Sequence, residues 1–390
     1  MGDSRGQSDA PADLCVDVSS CQTHMQDEGG TGQTSIRGTV GKVLTVLGPI
    51  DADSCGVTLP HEHLLIDLSV RFETPHTTTE KARAYEPVSL DNLGWIRRHP
   101  MSNVDNLQLT DEQLAKRELA LFQEWGGATI VDMSNIGFAR DPLALARISR
   151  ATGVNVVMGS GYMIEATWPQ GMSPNEDEMT ERIVRDFLEG VDATGIRPGI
   201  IGEVGADWPL TDGERRSLRA AARAQKRVGA AINVHIGNSP ESPFQALDIL
   251  GQAGADISRV AISHCESRIF DYAVLRQLAS LGCYVEYDSF GFEGWYQRRM
   301  VLSEDDPVRC DMPNDAQRIN TLMRLADDGL LSRILISHDV CMKFMLRSFG
   351  GGGYLHILED VVPLMRAKGM TEEMIWTIVV ENPRRLLTIE

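Results

Sequence analysis

The feature that most constrains this chain is a rhythm. Eight short runs of apolar and β-branched residues recur at 57–59, 128–133, 154–158, 199–201, 230–234, 260–262, 283–287 and 334–336. Between them lie longer stretches with helical periodicity, at 110–125, 142–151, 178–189, 211–228 and 315–328. Some carry helix-start signals, such as Thr211 followed three residues later by Glu214, the spacing of a capping box. Strands that alternate with helices form parallel sheets, because a parallel crossover usually runs through a helix. Eight such units predict an α/β fold of the (β/α)8 TIM-barrel type rather than an open sheet, and 390 residues suffice for one barrel with insertions.

Outside that rhythm, residues 39–47 alternate as a half-buried strand does, and Gly48-Pro49 reads as the turn that ends it, giving a short N-terminal β extension. Residues 64–101 are irregular and dotted with aromatics, as expected of a long first strand-to-helix loop capping the barrel mouth. Residues 1–37 are polar and rich in Gly, Ser, Asp and Gln, without the apolar core of a secretory signal. They are expected to form a disordered tail, leaving one catalytic domain over 38–390. The start Met1-Gly2-Asp3-Ser4-Arg5-Gly6 lacks the Ser or Thr that a myristoylation signal places sixth. No segment approaches the roughly 18 apolar residues needed to cross a bilayer.

Charge and cysteines narrow the function. A net charge of −18 argues against nucleic acid and anionic membrane surfaces as partners. Seven cysteines with no Cys-x-x-Cys pair point to a reducing, cytoplasmic setting. The sequence leaves the oligomeric state open, a homo-oligomer included.

The chemistry lies in what ends the strands. His61 and His63 follow the first, two residues apart, so both side chains point the same way. Glu203 closes the fourth strand, His235 the fifth, His264 the sixth and Asp339 the eighth. Barrel active sites are built at carboxyl strand ends, so these six side chains should converge. Four imidazoles and two carboxylates exceed the three protein ligands of one catalytic zinc, which points to two divalent metal ions. Zinc suits the donors, with manganese or iron as alternatives. The expected division is His61, His63 and Asp339 on one ion, His235 and His264 on the other, and Glu203 together with a hydroxide between them. Asp339 is the expected proton carrier to the leaving group. The remaining histidines, His24, His76, His99, His338 and His356, read as structural. Glu62 and His338 should face away from the centre by strand alternation. Rival readings of the same residues are a lactonase or phosphoesterase, a one-metal deaminase, and a binding protein that has lost catalysis.

Several motifs together resemble the phosphotriesterase family of the amidohydrolase superfamily: Thr58-Leu59-Pro60-His61-Glu62-His63, Gly199-Ile200-Ile201-Gly202-Glu203-Val204-Gly205, Asn233-Val234-His235, Ile262-Ser263-His264 and Ser337-His338-Asp339. Phosphotriesterases proper carry a carbamylated lysine on the fourth strand, where this chain has Glu203. That substitution, and stretches such as Asn92-Leu93-Gly94-Trp95-Ile96 and Tyr284-Val285-Glu286-Tyr287-Asp288, resemble the phosphotriesterase-related branch found in animals. The likeness runs from about Gly41 to the C-terminus, with one departure at Ile236, where the family tends to have proline. It implies an amidase acting on a small anionic amide, N-acetyltaurine, with Glu203 bridging the metals. A sulfonate needs local donors. Lys343, Arg347 and the glycine run 350–353 after the eighth strand are candidates, as are Arg298 and Arg299 after the seventh, while Tyr162 and Trp295 could wall the pocket.

Overall fold

In a computed structural model, residues 38–292 and 312–390 are described. The expected tail, and with it Trp295, Arg298 and Arg299, lies outside them. All eight anticipated strands are present: β1 (Val57–Glu62), β2 (Gly127–Asp132), β3 (Asn155–Ser160), β4 (Ile200–Ala206), β5 (Ile232–Ile236), β6 (Val260–Ile262), β7 (Tyr284–Tyr287) and β8 (Ile334–Ile336). They pair in sequence order, all parallel. Hydrogen bonds between the carboxyl ends of β1 and β8 join the two edges into a barrel: Asp339 N to His61 O at 3.2 Å and His63 N to Val340 O at 3.3 Å. The (β/α)8 reading holds.

Neighbours along a strand point to opposite faces. Val131, Val157, Ile200, Ala231, Ala261 and Leu335 form a small inner cluster. Their neighbours Ile130, Val156, Ile201, Ile232, Ile262 and Ile336 join the larger layer between strands and helices. That layer is covered by α1 (Glu112–Glu124), α2 (Pro142–Thr152), α3 (Glu176–Glu189), α4 (Asp212–Val228), α5 (Ser242–Gln252), α6 (Tyr272–Ser280) and α7 (Asp315–Asp327), of which α5 and α6 were not anticipated from the sequence. Thr211 caps α4 by accepting from Glu214 N, and the Glu214 carboxylate returns a bond to Thr211 N, closing the capping box.

The N-terminal extension corrects the expectation. The strand is shorter, Lys42–Thr45, and pairs antiparallel with a second strand, Gly48–Asp51. Gly48 therefore starts the return strand instead of marking its end, at φ +116. Pro49 sits opposite Leu44 on this edge, where a missing N–H is tolerated. Val43 of the hairpin joins Leu386 and Leu387 in the inner cluster, closing the amino end of the barrel.

At the opposite end, the long first loop is less irregular than expected, with short helices at Thr78–Arg83 and Leu90–Ile96. It packs onto the loop after β8: Phe344 N donates to Asn106 Oδ1 at 3.0 Å, and Arg97 donates to the Gly350 carbonyl.

Candidate metal centre

The centre grows out of the inner strand positions, layer by layer. Above the apolar inner cluster sits a polar layer: Asn233 of β5, Ser263 after β6, Glu286 of β7 and Ser337 after β8, none exposed to solvent. Asn233 Nδ2 donates to Glu286 Oε2 at 2.7 Å, and Ser263 Oγ donates to Asn233 Oδ1 at 2.7 Å. One strand step further on, the six candidate residues meet.

Register is re-aimed where it matters. The β1–β2 ladder shifts between Leu59 and Glu62, beside Pro60, a position where a bulge suits proline. His264 and Asp339 both adopt left-handed backbone, at φ 60 and φ 51. Such conformations are uncommon for non-glycine residues and persist where the surroundings hold them. Asp288 Oδ2 accepts from His264 N at 2.8 Å, and the His61 carbonyl accepts from Asp339 N.

The donor atoms converge as the strand ends foretold. Asp339 Oδ1 lies 3.3 Å from His63 Nε2 and 3.8 Å from His61 Nε2. Glu203 Oε1 lies 2.6 Å from His235 Nδ1, 2.9 Å from His264 Nε2 and 3.7 Å from His61 Nε2. His61, His63 and Asp339 form one group with donors all within 4.8 Å, and His61, Glu203 and His264 form another. His235 Nδ1 adjoins the second group, 2.8 Å from His264 Nε2. Four of the six residues are buried, and His235 keeps 20% of its side chain exposed. The Asp339 side chain keeps 26% of its surface exposed, which makes it the carboxylate that can meet an incoming molecule.

A layer behind sets which ring nitrogen faces the centre. Glu286 Oε2 is 3.1 Å from His61 Nδ1, and Asp288 Oδ1 is 2.9 Å from His264 Nδ1. The Ser134 hydroxyl donates to the Leu65 carbonyl and so accepts from His63 Nδ1 at 2.9 Å. In all three rings the outer partner takes Nδ1 and leaves Nε2 facing the centre, the usual way outer partners orient metal ligands. His61 Nε2 shows the result: among the described residues it is buried with no hydrogen-bond partner. A buried nitrogen without a partner costs about 1–3 kcal/mol, and a cation at the shared focus of these donors would satisfy it.

The electrostatics agree. Burial opposes charge on His264, yet Asp288 and Glu203 outweigh it and raise the ring to about 10. His61 is likewise driven well above its usual range against burial by Glu203, Glu286 and Asp288. Burial alone would raise Glu203, but His235 and His61 hold it well below the ordinary carboxylate range. The centre therefore demands positive charge, and metal ions can take the place of those protons.

Residue types at strand ends were enough to find these six. They did not reveal Glu286 and Asp288, although a signal existed: two acids two apart at the end of an otherwise apolar strand share its inner face. Asp132 was missed as well. It ends β2, with no solvent exposure, and accepts from Leu64 N at 2.7 Å and Ser134 N at 3.0 Å, shaping the turn that carries His63. Glu62 does turn away from the centre, but it is fully buried. It accepts from Ser337 Oγ, His338 N and Val340 N at 2.8 Å each and from the His338 ring at 2.6 Å, clamping the segment that presents Asp339.

The expected substrate contacts fare differently. Lys343 is paired with Asp105, and Arg347 with Glu359. Tyr162 is 2% exposed, its ring edge-on to Trp168 with centroids 5.6 Å apart. Two charges are thus engaged with carboxylates and one ring is packed.

If Asp288 orients His264, Asp288→Asn should weaken metal binding by about 10–100-fold while leaving the barrel folded. Competition with a chromogenic chelator measures this. Unchanged affinity would remove the orienting role.

A closed barrel with four imidazoles and two carboxylates gathered at its carboxyl end defines a metal-dependent hydrolase. The chain belongs to the phosphotriesterase family, whose sequence model matches residues 41–387. Among curated relatives, the N-acetyltaurine hydrolases of Rattus norvegicus and Homo sapiens are each 40% identical over 352 residues, covering 90% of this chain and 99% of theirs. A resiniferatoxin-binding protein from Rhodobacter sphaeroides superposes with a TM-score of 0.84 at 36% identity, over 90% of this chain and 96% of its own. The phosphotriesterase homology protein from Escherichia coli, solved with phosphate in its active site, superposes with a TM-score of 0.69 at 26% identity, over 86% of this chain and 99% of its own. No helix among the described residues is long and apolar enough to cross a membrane.

Proposed function

We propose that this hydrolase cleaves the amide bond of N-acetyltaurine, releasing acetate and taurine, with two divalent metal ions, zinc by donor chemistry. The observation that carries the two-ion reading is the placement of Glu203. Its Oε1 stands within 3.7 Å of donor nitrogens from both histidine groups, so one carboxylate serves both. Four imidazoles and two carboxylate oxygens match the ligand preferences of zinc. The substrate assignment rests on the activity named for the 40% identical relatives.

Bound there, the ions would supply Lewis acidity and an activated water. The remaining steps belong to the chain. Water oxygen bonds to the acetyl carbon, the carbon–nitrogen bond breaks, and the departing nitrogen must gain a proton, because an amide anion is too poor a leaving group. Asp339, the partly exposed carboxylate beside His63, takes the proton from the water and returns it to that nitrogen. Glu286, Asp288 and Ser134 keep three of the rings in one orientation throughout.

The test is taurine release from N-acetyltaurine by purified, metal-loaded protein, with a chelated control and parallel lactone and phosphotriester substrates. Chelator-sensitive release that exceeds the other two activities is the expected result. Turnover of a lactone or phosphotriester without taurine release would overturn the amide assignment and leave the centre standing.

A further inference from the structure

A cavity of about 170 Å³ lies between the long first loop and the loop after β8, and the candidate metal ligands take no part in its lining. Its walls are apolar where Phe290, Phe292, Phe344 and Met345 form them, and main chain where Gly350, Gly351, Gly352 and Gly353 do. The lining includes no carboxylate. It does include two cations. His356 is held above its usual range: burial opposes its charge, but hydrogen bonds to Asp315 at 2.6 Å and Asp360 at 2.8 Å outweigh burial. Those two aspartates also cancel it. Arg97 is different: it donates to the Gly350 carbonyl, and among the described residues it has no carboxylate partner. In a chain of net charge −18, an uncompensated guanidinium at a half-apolar cavity is an unusual placement.

The glycines shape the floor. A Cβ on Gly351 would lie 2.0 Å from the Met345 carbonyl oxygen, and one on Gly352 would lie 2.7 Å from His356 Cβ, so no side chain can fill the space from that side. The volume admits a few heavy atoms and is too small for a drug-sized ligand. His338 and Val340, the two chain neighbours of Asp339, both line the cavity. Whatever occupies it touches the segment that presents Asp339.

We propose that this cavity is a second ligand site, separate from the hydrolytic centre, which takes a small organic anion, a carboxylate or sulfonate with a short apolar tail, on Arg97. The guanidinium pairs with the anion through charge-assisted hydrogen bonds while the phenylalanines cover the tail. The site does not depend on the amide assignment, so the two can fail separately.

The experiment titrates the full chain with ethanesulfonate and with its neutral counterpart ethyl methyl sulfone. Binding is followed calorimetrically, and inhibition against whichever substrate the protein turns over. Saturable binding of ethanesulfonate, at least tenfold weaker in Arg97→Gln and largely restored in Arg97→Lys, is expected, with no comparable binding of the sulfone. Inhibition should be noncompetitive, because the ligand sits behind the Asp339 segment. If Arg97→Gln fails to fold, Met345→Glu, which sets a carboxylate in the same cavity, should abolish binding. Equal binding of anion and sulfone, no binding by the wild type, or affinity indifferent to these variants would overturn the proposal. So would purely competitive inhibition, which would make the cavity part of the substrate site.

Discussion

Glu203→Gln is expected to nearly abolish turnover and to lower bound metal by at least one ion per chain. Glu203 is the residue whose oxygen approaches both histidine groups, at 2.6 Å from His235 Nδ1 and 3.7 Å from His61 Nε2. Glutamine keeps the shape and removes the charge, so a well-folded variant isolates the electrostatic role. Outer partners of metal ligands typically cost about 10–100-fold in metal affinity or activity when changed, and loss of the shared carboxylate should exceed that range. Elemental analysis of the purified variant, paired with its kcat, decides the matter. A variant that retains two ions and ordinary turnover would eliminate the two-ion arrangement with Glu203 between them.

Asp339→Asn should be nearly as severe in rate, by a different route. The side chain lies 3.3 Å from His63 Nε2 and keeps a quarter of its surface open. Removing a positioned proton carrier typically costs about 10²–10⁴-fold. The loss should fall on kcat more than on KM and should shrink for acyl substrates whose leaving group needs no proton, such as an activated ester. An equal loss for the amide and the activated ester would assign Asp339 to metal holding alone.

How much of this was legible beforehand depends on which physical rule each residue obeys. Strand positions and the six converging residues follow from period-two alternation, which is local, and from the rule that barrel chemistry gathers at carboxyl strand ends. The supporting layer follows the same alternation. Glu286 lies in β7 and Asp288 just past its end, two residues apart like His61 and His63, so the same alternation turns both toward the centre. The hairpin boundary failed because Gly48-Pro49 carries a turn signal whether it ends one strand or starts the next. Lys343 and Arg347 illustrate a deeper limit. A loop cation reads the same in sequence whether it awaits an anion or is engaged by Asp105 or Glu359, which lie 238 and 12 residues away. Arg97 stands in the long first loop, where no periodicity announces direction, and it is singled out only once the loop after β8 is seen beside it.

The bonds joining β1 to β8 bear on how the centre comes into being. His61 N meets Ser337 Oγ across 276 residues of sequence, among the longest separations in the fold, and contacts of that kind form late because the intervening chain must first be ordered. His61 and His63 stand on one side of that junction, Asp339 on the other, and Glu203 halfway round. Glu203, His235 and His264 stand at the ends of neighbouring strands, but the group of His61, His63 and Asp339 is incomplete until the two edges meet. Completion of that half of the centre and closure of the barrel are thus one event. An ion captured at that moment holds the first and last strands together, so stripping it should speed hydrogen exchange at the amides of His61, His63 and Asp339 before those of β4 to β6.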